Sequence, residues 1–138
     1  MAAFLYRMVH DGADAPACVT PAFPDVLPSN EFCGEIDWMV ADGLATGYDD
    51  GLYRPTAPVS RQATAAFLHR LVTGEEELPA CEASPFPDVT TTNQFCGAIA
   101  WLVDAEIATG YADGFFHPTR AVSRQAMSAW LFRTGQLA

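Results

Sequence analysis

The sequence copies itself at a distance of 63 residues. Phe23-Pro24-Asp25-Val26 returns as Phe86-Pro87-Asp88-Val89, and Trp38, Tyr48 and Arg61 return as Trp101, Tyr111 and Arg124. Residues 23–73 align with 86–136 without a gap, and more than half of the paired positions are identical. Shared composition does not produce so long an ungapped register, so the chain is an internal duplication that must satisfy the same local structure twice. The register also runs backwards: "MAAFLYR" at Met1–Arg7 matches "TAAFLHR" at Thr64–Arg70 and "MSAWLFR" at Met127–Arg133. The chain is therefore expected to open in the last helix of a truncated repeat (1–10) and to continue through two full repeats (11–73 and 74–138), together one domain.

Each repeat reads as helix, loop, helix. The first helix is expected to start near Asn30 or Asn93, both good caps. Phe32, Cys33, Ile36, Met39 and Val40 then follow at helical spacing, and Phe95, Cys96, Ile99, Leu102 and Val103 repeat the stripe. Gly43 offers a left-handed stop. Its counterpart is Glu106, which would lose about 1 kcal/mol in that conformation, so the second repeat is expected to end this helix differently. The second helix starts at Ser60 or Ser123, and Ala63, Ala66, Phe67, Leu68, Leu71 and Val72 give it a wide apolar face. No segment alternates as a strand would, so the fold class is all-α.

Half of the residues are hydrophobic and 17% are charged, which excludes a disordered chain. No apolar run approaches the roughly 20 residues of a membrane span, so membrane insertion is not expected. The net charge is −10 and every basic residue but histidine is Arg. Such a surface repels nucleic acid and anionic membrane while leaving room for one Arg-based anion site. Cys18 and Cys33 are 15 residues apart, as are Cys81 and Cys96. Four cysteines allow three connectivities. The repeat favours Cys18–Cys33 and Cys81–Cys96 over two pairs of free buried thiols, and the lack of CxxC pairs speaks against zinc. Disulfides imply export, yet the opening residues show no leader pattern, so a fragment of an exported protein is expected.

Taken in order, "FPDV", "IDWMVADGLATGYDDGLYRP" and "VSRQATAAFLHR" resemble the S-layer homology repeat. That pattern has an F-x-D-V start, an aromatic helix, a G-Y-x-D-G-x-F-x-P loop and a T-R-A-E-like helix start. The resemblance covers nearly the whole chain. It implies tandem helix-loop-helix repeats around a pseudo-threefold axis. It also implies an extracellular, non-catalytic role: anchoring at the cell wall by binding secondary cell-wall polysaccharide, often pyruvylated. The Ala-rich, lysine-free, Cys-paired form is similar to versions from high-GC Gram-positive bacteria. The alternative is an assembly module of a secreted protein that binds no sugar, with a homodimer completing the truncated repeat.

Arg61 and Arg124 follow the Ser caps, where the helix dipole disfavours a cation. A guanidinium and free helix N–H groups would together grip a carboxylate such as a pyruvyl ketal, and the resemblance implicates the matching Arg in glycan binding. The competing reading is an ion pair to Asp25 or Asp50 and their repeat mates. The Glu of T-R-A-E is Ala63 or Ala126 here, leaving half a capping box. Tyr48 and Tyr111 lie beside the loop and are candidates to line a groove. Trp38 and Trp101 are weaker candidates, since they border the apolar stripe. Asp50-Gly51 and Asp113-Gly114 read as turns rather than a calcium loop, because Asp49 becomes Ala112 and no further carboxylate follows. His10, His69 and His117 fall at non-equivalent positions, and no catalytic constellation emerges. No metal or cofactor is expected.

Overall fold

A computed structural model describes residues 1–137. It contains five helices: α1 (Ala2–Val9), α2 (Cys33–Ala41), α3 (Arg61–Thr73), α4 (Cys96–Asp104) and α5 (Arg124–Gly135). Among the described residues there is no strand, only an isolated antiparallel bridge between Ser60 and Ala121. The chain is all-α. It divides into two compact units, Met1–Ala57 and Pro58–Ala138.

In the first unit α1 packs on α2. Leu5 and Tyr6 of α1 are buried, as are Cys33, Ile36 and Met39 of α2. The Tyr6 ring meets Trp38 edge-on at 5.3 Å and stacks on His10 at 3.9 Å. Phe23 and Val26 close the core from the connecting segment. In the second unit α3 packs on α4 in the corresponding way. Leu68, Ile99, Leu102, Ile107 and Phe116 are fully buried there. Trp130 of α5 lies parallel to Phe116 at 6.1 Å. The sequence repeat and the packing unit are thus out of phase, since in each unit the second helix of one repeat pairs with the first helix of the next.

Both expected disulfides are present, Cys18–Cys33 and Cys81–Cys96, each with Cα atoms 5.6 Å apart. Beside each buried cysteine stands a glycine that the connecting segment requires. A Cβ at Gly34 would overlap the Pro16 carbonyl, and one at Gly97 the Pro79 carbonyl.

Two local expectations are corrected. The first helix of each repeat starts at Cys33 and Cys96, not at the asparagines. Asn30 and Asn93 instead cap the preceding turn, each accepting the N–H two residues on, Phe32 or Phe95, at 2.8 Å. Phe32 therefore lies outside the buried stripe and is exposed. At the other end both helices terminate alike. Glu106 adopts φ 60° where Gly43 adopts φ 70°. The N–H groups of Leu44 and Ala45 bond to the Met39 carbonyl, as those of Ile107 and Ala108 bond to Leu102. The carbonyls left at the helix end and the buried Leu44 and Ile107 outweigh the cost of a left-handed Glu.

Candidate functional site

The loop between the helices is built on its aspartates. Asp50 Oδ1 accepts the Leu52 N–H at 3.0 Å and Oδ2 accepts Arg54 Nη2 at 2.6 Å. Asp113 does the same with Phe115 N–H and His117 Nε2. Gly51 and Gly114, at φ 80° and 81°, complete the turn. Both oxygens of each aspartate are engaged inside the loop, which supports the turn reading. The local N–H holds each carboxyl below its ordinary range, with Arg54 or His117 adding to the effect.

Three residues past each turn glycine, a basic side chain sits in the left-handed region: Arg54 at φ 58° and His117 at φ 55°. Such a conformation costs roughly 1–2 kcal/mol for a residue with a Cβ. It is held by the aspartate of the opening motif. Asp25 accepts Tyr53 N–H at 3.0 Å and Arg54 N–H at 2.7 Å, and Asp88 accepts Phe116 N–H and His117 N–H at 3.0 and 2.8 Å. The "FPDV" aspartate is therefore a clamp on the loop's end.

In the second unit that loop end receives the start of α3. Arg61 N–H donates to the Arg120 carbonyl and Gln62 N–H to the Pro118 carbonyl, both at 2.9 Å. Val122 N–H donates to the Val59 carbonyl at 2.8 Å. Asn93 Nδ2 donates to Gln62 Oε1 at 3.1 Å. Ser60 Oγ takes the Ala63 N–H as its cap. The N–H groups expected to be free for an anion at Arg61 are thus engaged.

The Arg61 side chain is 4% exposed. Its Nε donates to the Phe116 carbonyl at 2.7 Å. Its guanidinium carbon lies 4.6 Å from the Tyr111 ring, 4.6 Å from Phe116 and 4.8 Å from Trp130. Among the described residues it forms no ion pair, so Asp88 and Asp113, the repeat mates in its own unit, are not bonded to it. Burial pulls its pKa below the usual arginine value, with Tyr111 opposing the shift. Among the described residues Nε is the one Arg61 side-chain nitrogen with a protein acceptor. Arg120, exposed, lies over the other half of the same Tyr111 ring at 4.9 Å. Tyr111 itself is 38% exposed. Two guanidinium groups therefore share one exposed tyrosine, with Asp88 in electrostatic reach of Arg61 and Asp113 in reach of Arg120, and neither carboxylate is bonded to them.

The other candidates are placed differently. Arg124 caps no such assembly and is exposed, and among the described residues it has no side-chain partner. Tyr48 is 49% exposed with Arg54, not Arg61, over its ring at 4.3 Å. Trp38 and Trp101 are half-buried, edge-on to Tyr6 and His69 respectively, and pack between helices. Sequence reasoning missed Arg120, Phe116 and Trp130. Arg120 stands where the first copy has Ala57, and Trp130 where it has Phe67. An identity search between copies passes over such positions, whereas a search for differences finds them.

The S-layer homology domain model matches residues 22–65 and 85–128, more than half of the chain. A protein named cell surface glycoprotein 1, from Acetivibrio thermocellus, is 32% identical over 78 residues. The match covers 56% of this chain and 3% of that protein. A cellulosome-anchoring protein of the same organism is 27% identical over 79 residues, covering 56% of this chain and 18% of that protein. The chain thus spans a small part of either relative. No helix among the described residues is long and apolar enough to cross a membrane.

Proposed function

Because this chain belongs to the S-layer homology family, we propose that it is a non-catalytic module holding a larger protein at the cell surface by binding secondary cell-wall polysaccharide. The names of its relatives, a cell surface glycoprotein and a cellulosome-anchoring protein, support a surface location and an anchoring role. The observation that carries the ligand class is the pair Arg61 and Arg120 over Tyr111. Like charges over one ring repel, and a carboxylate bridging them turns that repulsion into two charge-assisted hydrogen bonds. A sugar face fits the exposed Tyr111 ring, so an acidic glycan such as a pyruvylated one meets both features. Arg124 joins such a site only when another loop end packs against it. Weak sites of this kind gain strength on a polymeric wall through avidity.

The test is co-sedimentation with purified cell walls. Wild type is expected in the pellet. Arg120→Ala and Tyr111→Ala, both at exposed positions, are expected to weaken binding about tenfold each, the scale of one good polar or stacking contact. Wild type remaining in the supernatant overturns anchoring. Full binding by Arg120→Ala, with wall retention intact, overturns the carboxylate clamp alone.

A further inference from the structure

At the end of the loop the two copies differ in one basic residue. The first copy has Arg54 and the second has His117. Each pairs with the aspartate four residues before it, Arg54 Nη2 with Asp50 at 2.6 Å and His117 Nε2 with Asp113 at 2.7 Å. Asp25 and Asp88 clamp this position through its main-chain N–H, so the clamp does not depend on which basic side chain stands there. A guanidinium keeps its charge at any physiological pH, whereas histidine is the side chain that gains or loses charge between pH 5 and 8. The second copy thus carries a switchable charge where the first carries a fixed one.

That charge stands at the Arg61–Arg120–Tyr111 site. The His117 ring meets Tyr111 edge-on at 4.9 Å, and the guanidinium carbons of Arg61 and Arg120 lie 4.6 and 4.9 Å from the same ring. His117 also meets the exposed Phe115 edge-on at 5.8 Å. Its own side chain is 23% exposed. A carboxylate accepts, so Nε2 donates its proton to Asp113. Among the described residues Nδ1 has no hydrogen-bond partner, and the proton that comes and goes is the one on Nδ1. The titratable and charged groups around the imidazole are Tyr111, Asp113 and Arg120 of its own loop, Asp88 of the connecting segment and Arg61 of α3. Asp113 is bonded to His117 and is also in electrostatic reach of Arg120. With a neutral imidazole, the Asp113 charge competes with a bound carboxylate for Arg120. With a protonated imidazole, Asp113 is neutralised and Arg120 is left to the ligand.

We infer that His117 is a further residue of this site and sets its charge, so that the chain grips an acidic glycan more tightly as pH falls from 8 to 5.5. The inference rests on the reading of Arg61, Arg120 and Tyr111 as an acidic-glycan site. Its sign follows from charge. A proton on Nδ1 adds one positive charge beside a bound carboxylate, and by linkage the carboxylate favours that proton to the same extent. One charge at a distance of several Å in a largely solvated site changes affinity about fivefold.

Co-sedimentation of the full, disulfide-bonded chain with purified cell walls tests it, at pH 8 and pH 5.5 and constant ionic strength. Wild type is expected to bind about fivefold more tightly at pH 5.5. His117→Asn, whose short amide tolerates the left-handed region, is expected to stay near the wild-type affinity of pH 8 at both values. His117→Arg restores the first copy's residue and is expected to bind at both values about as tightly as wild type does at pH 5.5. His10 and His69 are unchanged in both variants, so the difference from wild type reports His117. Far-UV circular dichroism at each pH checks that every variant is folded. Walls whose carboxyl groups have been reduced to alcohols are expected to lose the gain at pH 5.5. Equal wild-type binding at the two pH values, or a gain that His117→Asn keeps in full, overturns the role of His117 and leaves the glycan reading standing. Wild type in the supernatant at both pH values overturns the glycan reading and this inference with it.

Discussion

A guanidinium at the first position of a helix faces the positive end of the dipole, an arrangement that normally costs a few tenths of a kcal/mol or more. Arg61 is held there by a carbonyl on Nε and by three aromatic rings, whose faces are negative. Lysine has no planar fork to lie among the rings while donating to Phe116. Arg61→Lys is therefore expected to lower unfolding free energy by about 1–2 kcal/mol, read by urea denaturation followed by Trp fluorescence. Arg124→Lys, at an exposed position, should stay within about 0.5 kcal/mol of wild type. Equal losses at the two positions would contradict the aromatic box. Identity between the copies pointed to Arg61 and Arg124 from sequence, but their surroundings were not legible. Equal residues meet unequal neighbours when the contact comes from another repeat, and Trp130 and Arg120 are the non-identical neighbours that make Arg61 distinct.

At the level of the helix, the starts of α3 and α5 were legible because a serine cap acts through local hydrogen bonds. The starts of α2 and α4 were not. Asn30 and Asn93 do cap, but they cap a turn, and the helix waits three residues for the disulfide-bonded cysteine. The end of α4 shows tertiary packing overriding local preference. Ile107 is fully buried, and reaching that burial requires Glu106 to be left-handed. Glu106→Gly is expected to raise stability by about 0.5–1 kcal/mol, as relief of the left-handed Cβ exceeds the added entropy of the unfolded chain. The shift in thermal midpoint of the purified variant measures it, and a lower midpoint would refute the account.

For the molecule as a whole, the all-α class and the tandem register were legible because duplication constrains both copies at once. The grouping into packing units was not, since it depends on which faces meet. That grouping buries His69 against Trp101, with Nδ1 unpaired. Burial lowers the His69 pKa, opposed by Glu75 and reinforced by Arg70. The unfolded chain therefore binds this proton more readily, and stability should fall as pH drops below about 6.5. A second decline follows in more acid solution. Asp25, Asp50 and Asp113 are depressed by backbone N–H groups, so their contribution is present above about pH 3.9 and is lost as pH falls through their folded values. Urea melts from pH 8 to 3, at salt high enough to screen the net charge, should show both steps. His69→Phe should remove only the upper one, and its persistence in that variant would exclude His69 as the source. The offset between sequence repeat and packing unit also bears on how such arrays lengthen. A 63-residue period cut at the repeat boundary carries one half of a helix pair at either end, whereas one cut between α2 and α3 carries a whole pair. In either case recombination at a pair of equivalent positions inserts or deletes a period while every helix keeps a partner of the same kind. Array length can drift without a search for new interfaces, and the breakpoints need not coincide with any structural boundary.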